Sequence, residues 1–296
     1  MRPRFRKSNR YDAAALVVFL MLGLRAASLP AQTGPSPARP ISGADRALIV
    51  AGLPGDAAHE ALFRETVQAW RRWLTGPLRF PAGAVRILFG AAGDRELAQG
   101  PATREAIADE VVRIRGDLVP EGRLWVLFLG HANHREGHAY FHLPGPDLRE
   151  DEYRGLFEGL RCREQVFWIT TAASGPFLPA LSARGRIVIT ACQGDQESNE
   201  TEFPHALADV SRLPPRDLDR DGDGKVTIWE LFVRTTEAVE SRFEADHRAP
   251  TEHALLDDNG DGVGTERPER SSRPSRSGGP QDGMLARQTI IFESGR

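Results

Sequence analysis

Along the first two thirds of the chain the apolar positions fall into two kinds of run. Ala47–Ala51, Val85–Phe89, Leu124–Leu129, Val166–Ile169 and Ile187–Ile189 are apolar at nearly every position, and most end at Gly or at small residues. Between them lie stretches with apolar residues at helical spacing. Ala58–Leu74 places Leu62, Val67, Trp70 and Trp73 among charges. Thr103–Arg115 has Thr103 as a cap and Ala106, Ile107, Val111 and Ile114 facing inward. Asp151–Leu160 carries Tyr153, Leu156, Phe157 and Leu160 on one face. Strands without alternation, separated by helices, predict an α/β domain: a parallel sheet with helices on both faces. The turn Tyr140–Leu148 is expected to use Asp147 to cap the next helix.

In such sheets ligands bind beyond the carboxyl ends of the strands. Three of the strands stop abruptly there. One runs through Gly130 into His131, one into Ala172-Ala173-Ser174-Gly175, and one into Ala191-Cys192-Gln193-Gly194. His134, His138 and His142 follow His131, but Gly137 and Pro144 mark the stretch as an irregular loop of solvated histidines without a complete zinc set.

From Pro214 the pattern changes to acidic, Gly-rich loops flanking one long helix, Ile228–Asp246. Residues 266–283 are rich in Arg, Ser, Pro and Gly and read as a disordered tail, and Met284–Phe292 as a last strand. The resulting division is a signal over 1–31, a linker over 32–46, the α/β domain over 47–212, the acidic segment over 213–265, the tail over 266–283 and a terminal segment over 284–296.

Charge and composition narrow the function. The first ten residues are basic, Ala13–Leu24 is apolar, and small residues follow up to Ala31, the order of a secretory signal. Export follows, to a periplasmic or extracellular site; the alternative is retention of this segment as an N-terminal membrane anchor. The first 31 residues carry a net charge of +5, so the remainder is five charges more negative than the formal −3 of the whole chain and stands at −8. That balance excludes phosphate-backbone binding and favours cations. No membrane association is expected beyond the N-terminal segment. Neither a dinucleotide fingerprint nor a phosphate-binding Walker loop is present. Cys162 and Cys192 flank different ends of neighbouring strands, so two free thiols are expected.

Asp219-Arg-Asp221-Gly-Asp223-Gly224-Lys225-Val226-Thr227-Ile-Trp-Glu230 places carboxylates at positions one, three and five of a twelve-residue loop. Gly224 at six permits a sharp turn, Lys225 at seven offers its backbone carbonyl, Val226 at eight packs between paired loops, and Thr227 at nine can ligate through water. Glu230 at twelve supplies two oxygens. So many carboxylates close together repel unless a cation neutralises them. The loop resembles that of EF-hand proteins, which implies Ca2+ held by Asp219, Asp221, Asp223, Lys225, Thr227 and Glu230. The departure is Pro214-Pro215, where the last turn of the entering helix belongs, which implies a structural site rather than a switch. Asp257, Asn259 and Asp261 repeat the first half of the pattern, but Gly264 and Pro268 stand at positions eight and twelve. Two readings stay open here: a degenerate second calcium loop paired with the first, or a turn built by Asx side chains.

His131 at one strand end, Ala172-Ala-Ser174-Gly175 at the next, and the strand Ile187–Thr190 beyond it together resemble the caspase-like fold, and within it the legumain-type (C13-like) cysteine peptidases. The resemblance covers about Ala47–Val210 and implies His131 as the base. It places Ala172 where that family has its nucleophilic Cys and Ala173 where it has an acid. Ser174 and Gly175 match, and Ala132 replaces a Gly. The implied protein is therefore an exported calcium-binding pseudo-peptidase whose vacant cleft could take a peptide or protein. The alternative is an active cysteine peptidase pairing His131 with Cys192, since Ala191-Cys192-Gln-Gly resembles the nucleophile turn of caspases although Thr190 replaces its Gln.

Overall fold

An apolar run with side chains buried on alternate sides can only be satisfied by cover on both faces, and the chain supplies it. The computed structural model describes residues 43–91, 94, 96–194, 197–268 and 281–293. The expected signal, most of the linker and residues 269–280 of the expected tail lie outside the described residues. In chain order the elements are β1 (Arg46–Ala51), α1 (Ala57–Thr75), β2 (Val85–Phe89), α2 (Arg104–Asp117), β3 (Arg123–Leu129), β4 (Ala132–Arg135), β5 (His138–Phe141), β6 (Leu148–Arg149), α3 (Glu150–Phe157), β7 (Glu164–Ile169), α4 (Phe177–Leu181), β8 (Arg186–Thr190), α5 (Phe203–Val210), α6 (Pro215–Leu218), β9 (Lys225–Thr227), α7 (Ile228–Ala245), β10 (Leu255–Asp257), α8 (Met284–Gln288) and β11 (Ile290–Glu293).

A six-stranded sheet runs in the order β10-β8-β7-β3-β1-β2. Every pairing is parallel except that of β10 with β8. Along β3, Trp125, Leu127 and Leu129 face one core with Phe63, Trp70 and Trp73 of α1, Phe203 of α5 and Leu231 of α7. Leu124, Val126 and Phe128 face the other, with Ile107 and Val111 of α2, Tyr153 and Phe157 of α3 and Leu181 of α4. Trp125 and Trp168 sit 6.3 Å apart between ring centroids, and Phe128 and Tyr153 4.9 Å. Leu62, expected inward, is exposed; Phe63 and Thr66 take the buried stripe instead. The stretch after Pro214 joins the same body: β10 extends the main sheet and α7 packs into the first core. Among the described residues no helix is long and apolar enough to cross a membrane.

Three local expectations are corrected. The histidine-bearing stretch is no irregular loop but a three-stranded sheet, β4-β5-β6. Glu136 and Gly137 both have positive φ, 53° and 83°, which is the tight two-residue turn that a twisted hairpin needs. Asp147 does not cap α3. Its Oδ1 accepts from Leu143 N at 3.0 Å, and the first turn of α3 is closed by Glu152, which accepts from Arg149 N at 2.9 Å. Met284–Phe292 is not one strand: Asp258 accepts from Gly283 N and Ala286 N, and that pair of bonds winds α8 before β11 begins.

At the opening of β3 a charge pair is fully buried. Arg123 is 2% exposed and Asp45 1%. Two guanidinium nitrogens donate to Asp45 at 3.0 and 2.8 Å, one also reaches Leu78 O at 2.7 Å, and the group lies 4.3 Å over the Phe80 ring. Removing one partner strands a buried charge. Asp45→Ala is therefore expected to cost about 3–5 kcal/mol in urea unfolding, while the double change Asp45→Leu with Arg123→Met recovers most of that loss.

Candidate functional site

The chain order changes direction at β1, which lies between β2 and β3, so the crevice at the carboxyl ends of β1 and β3 is where an open α/β sheet offers a site. Two glycines let the backbone close there. A Cβ on Gly52 would sit 2.4 Å from His142 O, and one on Gly130, at φ +149°, would sit 2.9 Å from Phe141. Gly52 N donates to Leu129 O and Leu53 N to His142 O, which ties the β1 tip to the hairpin.

His131 emerges from this junction half-buried, its Nε2 3.1 Å from Pro54 O. A carbonyl only accepts, so Nε2 carries the hydrogen of this contact. The His131 ring stands 5.5 Å from His59 and 5.7 Å from Phe63. His59 comes from the first turn of α1, capped by Asp56, which accepts from His59 N at 2.9 Å. The His59 ring nitrogens lie 2.8 Å from Asp56 Oδ1 and 3.0 Å from Glu200 Oε2. Asp56 first, then Glu200, raise the His59 pKa, and His59 in turn lowers that of Asp56. Burial lowers that of His142. Asp56, His59 and Glu200 are absent from the sequence reading. The cap at Asp56 was legible, but nothing along the chain brings Glu200 to it.

Beyond β7 the polar groups are spent on the backbone. Thr170 Oγ1 donates to Phe128 O at 2.5 Å and Thr201 Oγ1 to Thr170 O at 2.7 Å. Ala172 is 5% exposed. Ala173 has φ +47°, an unfavourable setting for a residue with a Cβ, and donates its N–H to Glu197 O. Ser174, fully buried, accepts from Cys192 N at 2.9 Å. A Cβ on Gly175 would lie 2.4 Å from Gln193 O, so the turns after β7 and β8 pack backbone against backbone.

His131 and Ala172 thus follow neighbouring strands, while Cys192 follows β8, one strand further on. Its sheet position is two strand spacings from β3, about 9–10 Å. Cys192 is fully buried, and burial, then Glu252 and Glu197, push its thiol up to about 12. Cys162 is raised to about 11, chiefly by burial. Both are free. Such thiols carry almost no thiolate at neutral pH, and the thiolate is the nucleophile. Beside Cys192, Glu252 is 6% exposed and accepts from Glu202 N at 2.9 Å, and burial raises its pKa to about 8.

The acidic loop is entered by α6, a single turn that Pro215 begins rather than breaks, because the missing N–H falls where the helix needs none. Asp219 accepts from Gly222 N at 2.8 Å and Gly224 N at 2.9 Å, Asp221 from Asp223 N at 3.1 Å, and Asp223 from Lys225 N at 2.8 Å. Carboxylate oxygens of Asp219, Asp221 and Asp223 converge within 4.8 Å of one another. Glu230, 3% exposed, accepts from Arg220 N, Thr227 N and the Thr227 hydroxyl, so positions nine and twelve form the capping box of α7.

The second loop repeats these bonds. Asp257 accepts from Gly260 N and Gly262 N, Asn259 from Asp261 N and Asp261 from Val263 N. It does not pair with the first loop, correcting the expectation for Val226. That residue is buried, but its strand β9 pairs with β11, while in the second loop Thr265, the counterpart of Thr227, bridges to Leu256.

No protein-family profile matches the chain, and no curated protein matches it. Among solved structures, protein GSU0716 from Geobacter sulfurreducens is similar over 72% of this chain and 92% of its own length, at 12% identity and a TM-score of 0.44.

Two outcomes follow from the buried groups. Iodoacetamide at pH 8 is expected to leave Cys192 and Cys162 unmodified in the folded protein and to label both after unfolding, read by mass spectrometry. Preferential labelling of folded Cys192 would restore it as a nucleophile. Glu252, at about 8 against an ordinary 4.5, holds its proton longer folded than unfolded. Stability from this group is full below about 4.5 and is lost as pH rises to about 8, by a few kcal/mol. Glu252→Gln should flatten that part of the pH–stability curve.

Proposed function

We propose that this chain is an exported calcium-binding protein whose loop Asp219–Glu230 holds one Ca2+, and whose α/β domain is a relative of caspase- and legumain-type peptidases that no longer cleaves peptides. The observation that carries the first half is the convergence of the Asp219, Asp221 and Asp223 carboxylates at positions one, three and five, with Glu230 at twelve. Hard, oxygen-only ligation of this kind suits Ca2+. Lys225 would add its carbonyl and Thr227 a water-mediated contact. Bound there, the ion would neutralise the clustered carboxylates and fasten α6 to α7.

The role we assign is structural. The entering helix is one turn long, and Glu230 also closes the capping box of α7, which suits a site that fastens the fold. The second loop, with Asp257, Asn259 and Asp261, is read as an Asx turn rather than a calcium site, because Pro268 at position twelve brings no carboxylate. Ala172 at the tip of β7 supports loss of catalysis, and the buried, raised Cys192 thiol supports no replacement for it. The crevice beside His131 then serves to bind a peptide or protein rather than to cut one.

Calorimetric titration should show one Ca2+ per chain, and at tenfold excess over Kd the fold should gain about 1.4 kcal/mol against urea. Glu230→Gln and Asp219→Asn should each remove the heat. Absence of heat at millimolar Ca2+, or binding unchanged in both variants, would overturn the reading.

A further inference from the structure

Between α7, the start of α5 and the stretch that leads into β10 lies a cavity of about 120 Å³. The apolar part of its lining is formed by Phe203, Val239, Pro250 and Ala254, with Ala191 from the end of β8; the rest is polar. A dry cavity of about 150 Å³ holds a benzene-sized molecule, so there is room here for roughly five heavy atoms.

One polar side chain enters it buried. Glu252 is 6% exposed, and while its Oε1 accepts from Glu202 N, its Oε2 has no hydrogen-bond partner. In its ionised form a buried carboxyl oxygen left without a donor is expensive, and a cationic donor would relieve that cost. The surrounding charge says which kind. Glu240 and Glu266 also line the cavity. The one guanidinium of the lining, Arg267, is bonded to Glu240, and His253 is bonded to Glu197. Among the described residues of the lining, Glu252 and Glu266 thus have no matching cation. A metal ion would need several oxygens at once, but of the lining carboxylates only Glu252 is buried, Glu240 is held by Arg267 and Glu266 is exposed, so they form no cage. An ammonium group has three donors and tolerates a hydrocarbon body.

We propose that this cavity binds a small primary alkylammonium ion, with the charged head on Glu252 and a chain of about four carbons against Phe203 and Val239. The site is independent of the calcium loop and of His131. Among the described residues, the titratable and charged groups around Glu252 are Glu197, Glu202, Glu240, Glu266, Cys192, His253 and Arg267, with Arg242 and Arg248 beyond Glu202; Arg267 is bonded to Glu240, His253 to Glu197, and Arg242 and Arg248 to Glu202. Because burial holds the Glu252 pKa near 8, the ammonium must displace its proton, and binding should tighten as pH rises toward that value.

The test is calorimetric titration of the full chain, with Ca2+ present throughout, using n-butylammonium chloride and its neutral counterpart n-butanol. Butylammonium should bind at least about tenfold more tightly than butanol, and Glu252→Gln should weaken it by about tenfold or more. Because Gln resembles the protonated Glu, this variant keeps the fold, checked by its thermal transition. Val239→Trp, which fills the cavity, should abolish binding of both compounds. Equal affinity for the amine and the alcohol, no heat at tens of millimolar butylammonium, or binding unchanged in Glu252→Gln would each overturn the proposal.

Discussion

Burial of the sheet on both faces is the constraint from which the rest of this structure follows. Strands β1, β3, β7 and β8 are apolar through their middles, and their polar residues sit at the ends. Polar groups are pushed to the strand ends, and there they meet a second demand: each strand end exposes backbone N–H and C=O groups that need partners. At β7 and β8 that second demand wins. Thr170, Thr201, Ser174 and Glu197 all spend hydrogen bonds on backbone, and Gly175 lets two turns touch. The result is a rigid, closed tip in which Cys192 is a packing group.

At β1 and β3 the balance differs. The tips are held by glycines and by bonds to the β4–β5 hairpin, so side chains are left over. His131, His59, Asp56 and Glu200 gather in that surplus. A ring bonded to a backbone carbonyl through Nε2, next to a second ring held between two carboxylates, places four titratable groups at these strand ends. It lies on the side of the sheet where the strand order reverses, the place that topology alone favours for a ligand.

What the sequence disclosed follows the same division. Strands and long helices were readable, because burial on two faces or on one leaves a periodic trace over many residues. The hairpin was not, because its signal is the short alternation His138-Ala-Tyr-Phe141 around Glu136-Gly137, which histidines and a proline disguised. Leu62 was misassigned because one helical position cannot be told from its neighbour when both are apolar. His131 and the acidic loop were legible as residue types at fixed spacing. Glu200 beside His59, β11 beside β9, and Glu252 in its cavity were not, because each depends on segments brought together only by the fold.

The two acidic loops show how far such a motif reaches as evidence. Asp219 and Asp257 accept from glycine amides three and five residues on, and the next two Asx pairs follow in register. The identical bonding forms beside Glu230 and beside Pro268. Positions one to six are thus sufficient to fold the turn: Asx side chains satisfy the amides, and glycines with positive φ carry the backbone around. A pattern that builds its own turn is no argument for an ion by itself. Position twelve carries the distinction, since the second loop closes the same turn without a carboxylate there, and one must be brought back by a helix. In the first loop α7 returns Glu230 to the turn, where it accepts from Arg220 N. In the second the chain runs on to a proline. The case for calcium rests on that return, and it sets the first loop apart from a fold element with the same local chemistry.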